Sequence, residues 1–208
     1  MAADRPLPEA WPVRLALATA GGLKRINTVL GLACGLALLG AVGMVLTEIV
    51  LRQVVGRGLG GSDEIAGYVM AGVAAWGLSY ALTERAHVRI DVVTARLPLP
   101  GRAGFDLLAL IATSFVAGVV TWYAWRVLAR SLERGSTANT PLETPLWIPQ
   151  SVWVAGWVWL TAVAVLLTAC LIVLILARRW ADAQAIAGTQ TELDEVLADT
   201  PADEGLRR

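Results

Sequence analysis

Four long runs without a charged residue divide the chain and predict its secondary structure. The runs are Thr28–Thr47, Ile65–Thr83, Leu107–Trp125 and Pro149–Ala177. Each is close to the roughly 20 residues that a helix needs to cross a hydrocarbon core about 30 Å thick. The runs are too long for membrane β-strands and lack their alternation of apolar and polar residues. The pattern predicts an all-α integral membrane protein with four transmembrane helices, at about residues 27–50, 64–84, 104–127 and 148–177.

Composition and charge agree with this interpretation. Hydrophobic residues make up 56% of the chain, whereas soluble domains average about 45–50% apolar residues. The charges lie in the two tails and in the breaks between the runs, because a charge at mid-membrane costs at least about 2.5 kcal/mol. The formal net charge is +0, and no basic stripe indicates nucleic acid as a partner.

The distribution of Lys and Arg predicts the orientation. Four basic residues precede the first run and four lie in the second break: Arg5, Arg14, Lys24, Arg25, Arg85, Arg89, Arg96 and Arg102. Arg178 and Arg179 begin the C-terminal flank. The first break carries Arg52 and Arg57, and the third carries Arg126, Arg130 and Arg134, partly balanced by Glu133 and Glu143. Since basic residues on short flanks stay in the cytoplasm, both termini and the second break are expected there.

Three regions follow from these patterns. Residues 1–25 are expected to form a cytoplasmic or interfacial segment, and the short apolar stretch Val13–Gly22 is not expected to be a cleaved signal peptide. Residues 26–178 form the transmembrane domain. Residues 179–208 are acidic and poor in apolar residues, which predicts a mobile cytoplasmic tail. Between spans two and three, a short amphipathic helix is expected in the inner interface, on the evidence of Ile90, Val92, Val93 and Leu97.

The second span begins with Ser62-Asp63-Glu64. Ser62 is a good N-cap residue, and two carboxylates in the first turn complement the positive end of the helix dipole. Alternatively, Glu64 lies opposite Arg52 at the end of the preceding span and locks this hairpin or a partner subunit. Both interpretations remain open from the sequence.

The end of the second span carries His87-Val88-Arg89-Ile90-Asp91. His87 is the only histidine, so a metal or haem site built from several histidines is not expected. In a continuing helix, His87 and Asp91 share one face at the i, i+4 spacing, and Arg89 points towards lipid phosphate or a partner's carboxylate. Interfacial anchoring and subunit docking are the two alternatives.

Catalytic and conducting groups are missing from the four runs. Their central portions contain no Asp, Glu, Lys, Arg or His, which are the groups that proton relays and ion paths use. The sequence also has no nucleotide-binding loop and no nucleophile motif, and Cys34 and Cys170 have no nearby partner. Small residues such as Gly31 and Gly35 indicate close helix packing. The chain is therefore expected to be a packed membrane scaffold without enzyme activity or cofactor.

These motifs resemble one family. Arg52 closes span one, Ser62-Asp63-Glu64 opens span two, His87 to Asp91 close it, and Pro145-Leu146-Trp147-Ile148-Pro149 opens span four. Over about residues 25–178 this pattern resembles the DctQ-type small permease subunit of tripartite ATP-independent periplasmic (TRAP) transporters. Glu48 and the acidic tail depart from the family pattern.

The resemblance implies a bacterial inner-membrane protein that pairs with a large permease subunit. The large subunit would hold the substrate and sodium sites, the small subunit would be a static scaffold, and a periplasmic binding protein would deliver a solute, usually a carboxylate. Six residues are then expected to serve assembly or structure rather than catalysis: Arg52, Asp63, Glu64, His87, Arg89 and Asp91.

Three alternatives remain at this stage. One is the small membrane subunit of a tripartite tricarboxylate transporter, which also has four spans. Another is the membrane anchor of a quinone-linked oxidoreductase, which normally needs two histidines as haem ligands. The third is a small transporter that acts alone.

Replacement of His87 or Arg89 by alanine is expected to lower the yield of the complex or its solute uptake, because both side chains are assigned to assembly. Insertion of the four spans should be unaffected. Complex yield after affinity purification and uptake into vesicles measure the two effects. Normal assembly and uptake in both variants would remove these residues from the list of assembly residues.

Overall fold

A computed structural model describes residues 11–58, 60–86 and 97–188, and helices dominate these ranges. They are α1 (Trp11–Val54), α2 (Ser62–Thr83), α3 (Leu99–Arg134), α4 (Trp147–Leu176) and α5 (Trp180–Ala187). The first four are long and apolar enough to cross a membrane, which confirms the prediction of an all-α chain with four candidate spans. The predicted interfacial helix falls almost entirely on residues 87–96, outside the described residues, and the orientation stays a prediction.

Helix α1 is much longer than a membrane crossing requires. It has 44 residues and begins at Trp11 rather than near residue 27. At about 1.5 Å per residue its length is about 66 Å, roughly twice the thickness of a hydrocarbon core. Val13, Ala16 and Leu23 in its first half are buried against the rest of the bundle. The described part of the predicted N-terminal segment is thus a helical extension of the first span.

Helix α4 occupies the centre of the bundle. It packs against α1, α2, α3 and α5. In its most apolar stretch of 18 residues, 39% of the residues are buried, compared with 6% in the corresponding stretch of α1. The main core cluster draws on all five helices, with its largest share from α4, including Val163, Leu171 and Leu174. The central position of α4 explains why its sequence is apolar on every face.

Two glycines allow close contacts between these helices. A Cβ atom on Gly156 of α4 would lie 2.8 Å from the Cβ of Ala75 in α2, and one on Gly31 of α1 would lie 3.0 Å from the ring of Tyr80. The expectation of close packing therefore holds at Gly31, where the neighbour is an aromatic ring rather than a backbone. At Gly35 a Cβ would meet nothing within 4 Å.

A buried amide joins α1, α2 and α4. Asn27 is fully buried, and its Nδ2 donates to the backbone oxygen of Ser79 at 3.0 Å and to Oγ1 of Thr83 at 3.3 Å. Its Oδ1 accepts from Nε1 of Trp159 at 2.8 Å and from Oγ of Ser79 at 3.1 Å. Because lipid offers no hydrogen-bond partner, these mutual bonds fix the register of the three helices.

The ends of α2, α3 and α4 share one backbone motif. In each, a residue with positive φ follows the helix: Arg85 (59°), Gly135 (57°) and Arg178 (56°). Paired bonds close each end, for example Arg85 N to Leu82 O and Ala86 N to Ala81 O after α2. Glycine is usual at this position, and another residue costs about 1–2 kcal/mol there. Arginine thus occupies an unfavourable backbone position at the ends of α2 and α4.

Helix α5 corrects one expectation. A mobile tail was predicted from residue 179, but residues 180–187 form a helix whose Ala183 and Ala187 are buried. Nε2 of Gln184 also donates to Oδ2 of Asp106 in α3 at 3.0 Å. The mobile-tail prediction therefore does not hold for α5. It remains untested for residues 189–208, which lie outside the described ranges.

Replacement of Asn27 by leucine, which has a similar volume, should destabilise the bundle by about 1–3 kcal/mol, because Trp159 and Ser79 lose their buried partner. The Tm of the purified protein in detergent is expected to fall by several degrees. Thr28→Val is the matched control, since Thr28 is exposed and bonds only to the backbone of its own helix at Lys24. Equal Tm values for the two variants would contradict the role of the buried amide.

Candidate assembly site at the ends of the bundle

Glu64 connects α2 to the loop between α3 and α4. Its Oε1 accepts a hydrogen bond from the hydroxyl of Tyr68, one turn further along α2, at 2.7 Å. Its Oε2 accepts from the hydroxyl of Thr140 in the α3–α4 loop. We call this end of the bundle, where α2 begins, the Glu64 end.

The α3–α4 loop that Glu64 holds is a narrow hairpin. Thr137 and Pro145 form an antiparallel bridge, and Ala138 N donates to Thr144 O at 2.9 Å while Leu146 N donates to Ser136 O at 3.0 Å. Backbone hydrogen bonds thus join the two sides of the hairpin, and the carboxylate of Glu64 connects the tip of the hairpin, at Thr140, to α2. The hairpin has a defined position at the surface of the Glu64 end.

The start of α2 differs from the sequence prediction. Ser62 is the first helical residue and is buried, and the N-cap position belongs to Gly61, with a φ of 83° and no side-chain cap. The predicted capping role of Ser62 is therefore wrong. Glycine suits position 61 for two reasons, since its φ is positive and the side chain of Leu142 from the hairpin packs where a Cβ would stand. The position of Asp63 and Glu64 in the first turn is confirmed.

Arg52 pairs within its own helix. Its Nη2 lies 3.1 Å from Oε1 of Glu48, one turn earlier in α1. The side chain of Glu48 is only 8% exposed and that of Arg52 is 70% exposed. The carboxylate also lies against Gly58 in the α1–α2 loop, where a Cβ would overlap it. The ion pair that the structure contains is thus Arg52 with Glu48, rather than the predicted pair of Arg52 with Glu64.

The remaining predicted residues divide into two groups. Asp63 is exposed at the start of α2. His87, Arg89 and Asp91 lie outside the described residues, so their assignment to assembly stays a prediction. Of the six predicted residues, the Glu64 end brings together Arg52, Asp63 and Glu64 around the α1–α2 connection.

The opposite end, which we call the Lys24 end, contains contacts that the sequence interpretation missed. Nζ of Lys24 in α1 lies 3.1 Å from Oε2 of Glu84 after α2, and Nη1 of Arg85 lies 3.5 Å from the backbone oxygen of Gln184 in α5. The first pair had a signal, since Lys24 precedes span one and Glu84 follows span two, and antiparallel neighbours bring these positions to one end. No comparable signal marks the docking of α5.

Between the two ends, α1, α2 and α4 enclose an apolar cavity of about 420 Å³. Its lining includes Cys34, Val69, Val73 and Val152 and contains no charged side chain. Nε1 of Trp76 on this wall donates to the backbone oxygen of Val152 at 3.0 Å. Among residues 11–58, 60–86 and 97–188, no cluster of His, Cys, Asp or Glu is arranged to hold a metal ion. The polar groups of this lining are few, and the hydroxyl of Tyr68 is bonded to Glu64.

A comparison with protein-family models identifies a family for this chain. The family model described as "Tripartite ATP-independent periplasmic transporters, DctQ component" matches residues 41–183. This range contains α2, α3 and α4 in full, together with parts of α1 and α5. Comparisons with curated proteins and with solved structures gave no match.

The matched range is more than half of the chain and agrees with the resemblance of the motifs around Arg52, Glu64 and Pro149. Members of this family are non-enzymatic membrane components of a complex with a large permease and a binding protein. The chain belongs to the DctQ family and is a multi-pass membrane subunit of a TRAP transporter, a secondary transporter that depends on a periplasmic binding protein.

Proposed function

We propose that this chain is the static scaffold of its TRAP transporter and supports the large permease subunit in the bacterial inner membrane. The large subunit would carry the solute, an organic acid or a similar compound delivered by the periplasmic binding protein, and an ion gradient would drive uptake. One observation supports this proposal most directly. The chain belongs to the DctQ family, and in the described residues the interior of the bundle between its two ends contains no charged group. A bundle of this kind can hold a partner in place but cannot conduct ions by itself.

The contacts within the bundle support a rigid role. The central α4 packs on every other helix of the described chain, and the amide of Asn27 joins α1, α2 and α4 in one register. In contrast, the outer face of α1 is uncovered, with Leu32, Leu36 and Leu39 each more than 60% exposed. This face is apolar surface that a neighbouring helix or lipid can cover inside a membrane.

The proposed orientation places the Lys24 end in the cytoplasm and the Glu64 end in the periplasm. Its support is the excess of basic residues at the Lys24 end. Seven lie there among the described residues, Arg14, Lys24, Arg25, Arg85, Arg102, Arg178 and Arg179, and five lie at the Glu64 end, Arg52, Arg57, Arg126, Arg130 and Arg134. In this orientation the hairpin held by Glu64 faces the compartment of the binding protein. We propose that Arg52, Asp63 and Glu64 support assembly on that side, and that His87, Arg89 and Asp91 do so on the cytoplasmic side.

Omission of single components tests the scaffold proposal. Proteoliposomes that contain this chain, the large permease subunit and the binding protein should take up solute under an ion gradient, and omission of any one should reduce uptake to background. The large subunit should also co-purify with this chain from native membranes. Uptake by this chain alone, or full uptake by the other two components without it, would contradict the proposal.

Replacement of Glu64 by alanine should loosen the α3–α4 hairpin, because the hydroxyls of Thr140 and Tyr68 lose their acceptor. We expect faster cleavage within residues 136–146 in limited proteolysis of the complex, and a several-fold lower initial rate of uptake. Asp63→Ala is the matched control for the proteolysis, since it removes the neighbouring carboxylate of the same helical turn, whereas the bond to Thr140 of the hairpin belongs to Glu64. If both variants are cleaved within residues 136–146 at the same rate, Glu64 has no specific role in holding this loop.

A further inference from the structure

A second cavity lies at the Lys24 end, where α1, the end of α2, α4 and α5 meet. Its volume is about 190 Å³, several times the roughly 30 Å³ that one water molecule occupies. One wall is polar and consists of Lys24, Thr83 and Arg85. The other wall is apolar and includes Leu17, Leu167 and Ile186. The cavity is therefore amphipathic, with its charged wall at the end of the bundle.

The charges on the polar wall do not cancel. Lys24 pairs with Glu84 at 3.1 Å, but its side chain remains 56% exposed, and an ammonium group has three donors. Arg85 contributes a second cation, and its bond to the backbone oxygen of Gln184 is long, at 3.5 Å. A guanidinium has five donors and suits the geometry of phosphate oxygens. Among the described residues, two cations of this wall face the one carboxylate of Glu84, so this part of the wall carries a net positive charge.

The end of α2 places Arg85 beside the cavity. Its φ of 59° is a conformation in which glycine is the usual residue. Arg178 has the same conformation after α4 but does not line the cavity, so the backbone conformation alone marks no site. Arg85 differs from Arg178 by its position in the cavity wall, against the last turn of α2 and within reach of α5.

We infer that this cavity binds the headgroup of an anionic phospholipid, with the phosphate on Lys24 and Arg85 and the first part of an acyl chain on Leu17, Leu167 and Ile186. Basic pockets between transmembrane helices are suited to such headgroups. A soluble phosphate would use only the polar wall, and a zwitterionic lipid would bring an ammonium group to a wall that is already positive. The inference requires that this end lies at a membrane surface, and it does not depend on which side of the membrane that surface faces.

The test compares two variants of the complex of this chain with its large permease subunit. Arg85→Gly removes the cation from the cavity, and Arg178→Gly removes one from the same backbone position at the end of α4, outside the cavity lining. Glycine is favoured at both positions, so neither variant should be less stable than the parent, and Tm measurements check this. The probe is phosphatidylglycerol titrated into phosphatidylcholine nanodiscs, with bound lipid counted by native mass spectrometry.

The parent complex and Arg178→Gly should retain phosphatidylglycerol in preference to phosphatidylcholine, whereas Arg85→Gly should bind it roughly fivefold more weakly, as expected from the loss of one basic residue near the headgroup. Three results would overturn the inference. They are equal phosphatidylglycerol binding by the two glycine variants, no preference over phosphatidylcholine in the parent complex, and displacement of the lipid by millimolar inorganic phosphate.

Discussion

The structure depends on a constraint that the solvent imposes. A hydrocarbon interior supplies no hydrogen-bond partner, so each polar group that enters it must be satisfied by the protein itself. The described bundle meets this requirement by gathering its charged contacts at two ends, with Glu48 and Glu64 at one and Lys24 and Glu84 at the other. Between them, Asn27 is a polar residue whose amide groups are all used by neighbouring helices. Among the described residues, two buried side-chain atoms of α4 depart from this rule, since Oε1 of Gln150 and Nε1 of Trp157 have no hydrogen-bond partner.

The same constraint relates the fold to the function. A secondary transporter must expose charged or polar groups to its ion and its solute at mid-membrane, and a subunit without such groups contributes shape and position instead. The central α4, covered by the other described helices, gives the bundle a fixed shape. The hairpin on Glu64 and the ion pair of Glu48 with Arg52 give its loops fixed positions. Family membership shows a membrane subunit of a TRAP transporter, and these contacts are the support for the proposed scaffold role.

The sequence predicted the parts of this structure that follow from the length of its hydrophobic runs. Four candidate spans and the acidic start of α2 were visible as patterns, since each depends on local composition. The contacts between distant residues were not visible in this way. The space beside Gly61 at the start of α2 is filled by Leu142, which is about eighty residues away in sequence. The docking of α5 likewise involves Asp106 of α3, far from it in sequence. The pair of Glu48 and Arg52 differs, since its i, i+4 spacing is a local signal that the sequence contains. Local patterns define elements, whereas side-chain geometry in the folded chain selects partners.

The length of α1 has a mechanical consequence. Glu48 touches the loop at Gly58, and Lys24 holds Glu84, and the two residues lie on one continuous helix about 36 Å apart along its axis. Because the helix is unbroken between them, a slip of one residue along its axis would separate both pairs at once. The length of α1 therefore fixes the distance between the Glu64 end and the Lys24 end of the bundle. A bilayer much thinner than this distance would have to deform around the protein, because α1 is one continuous helix and cannot shorten.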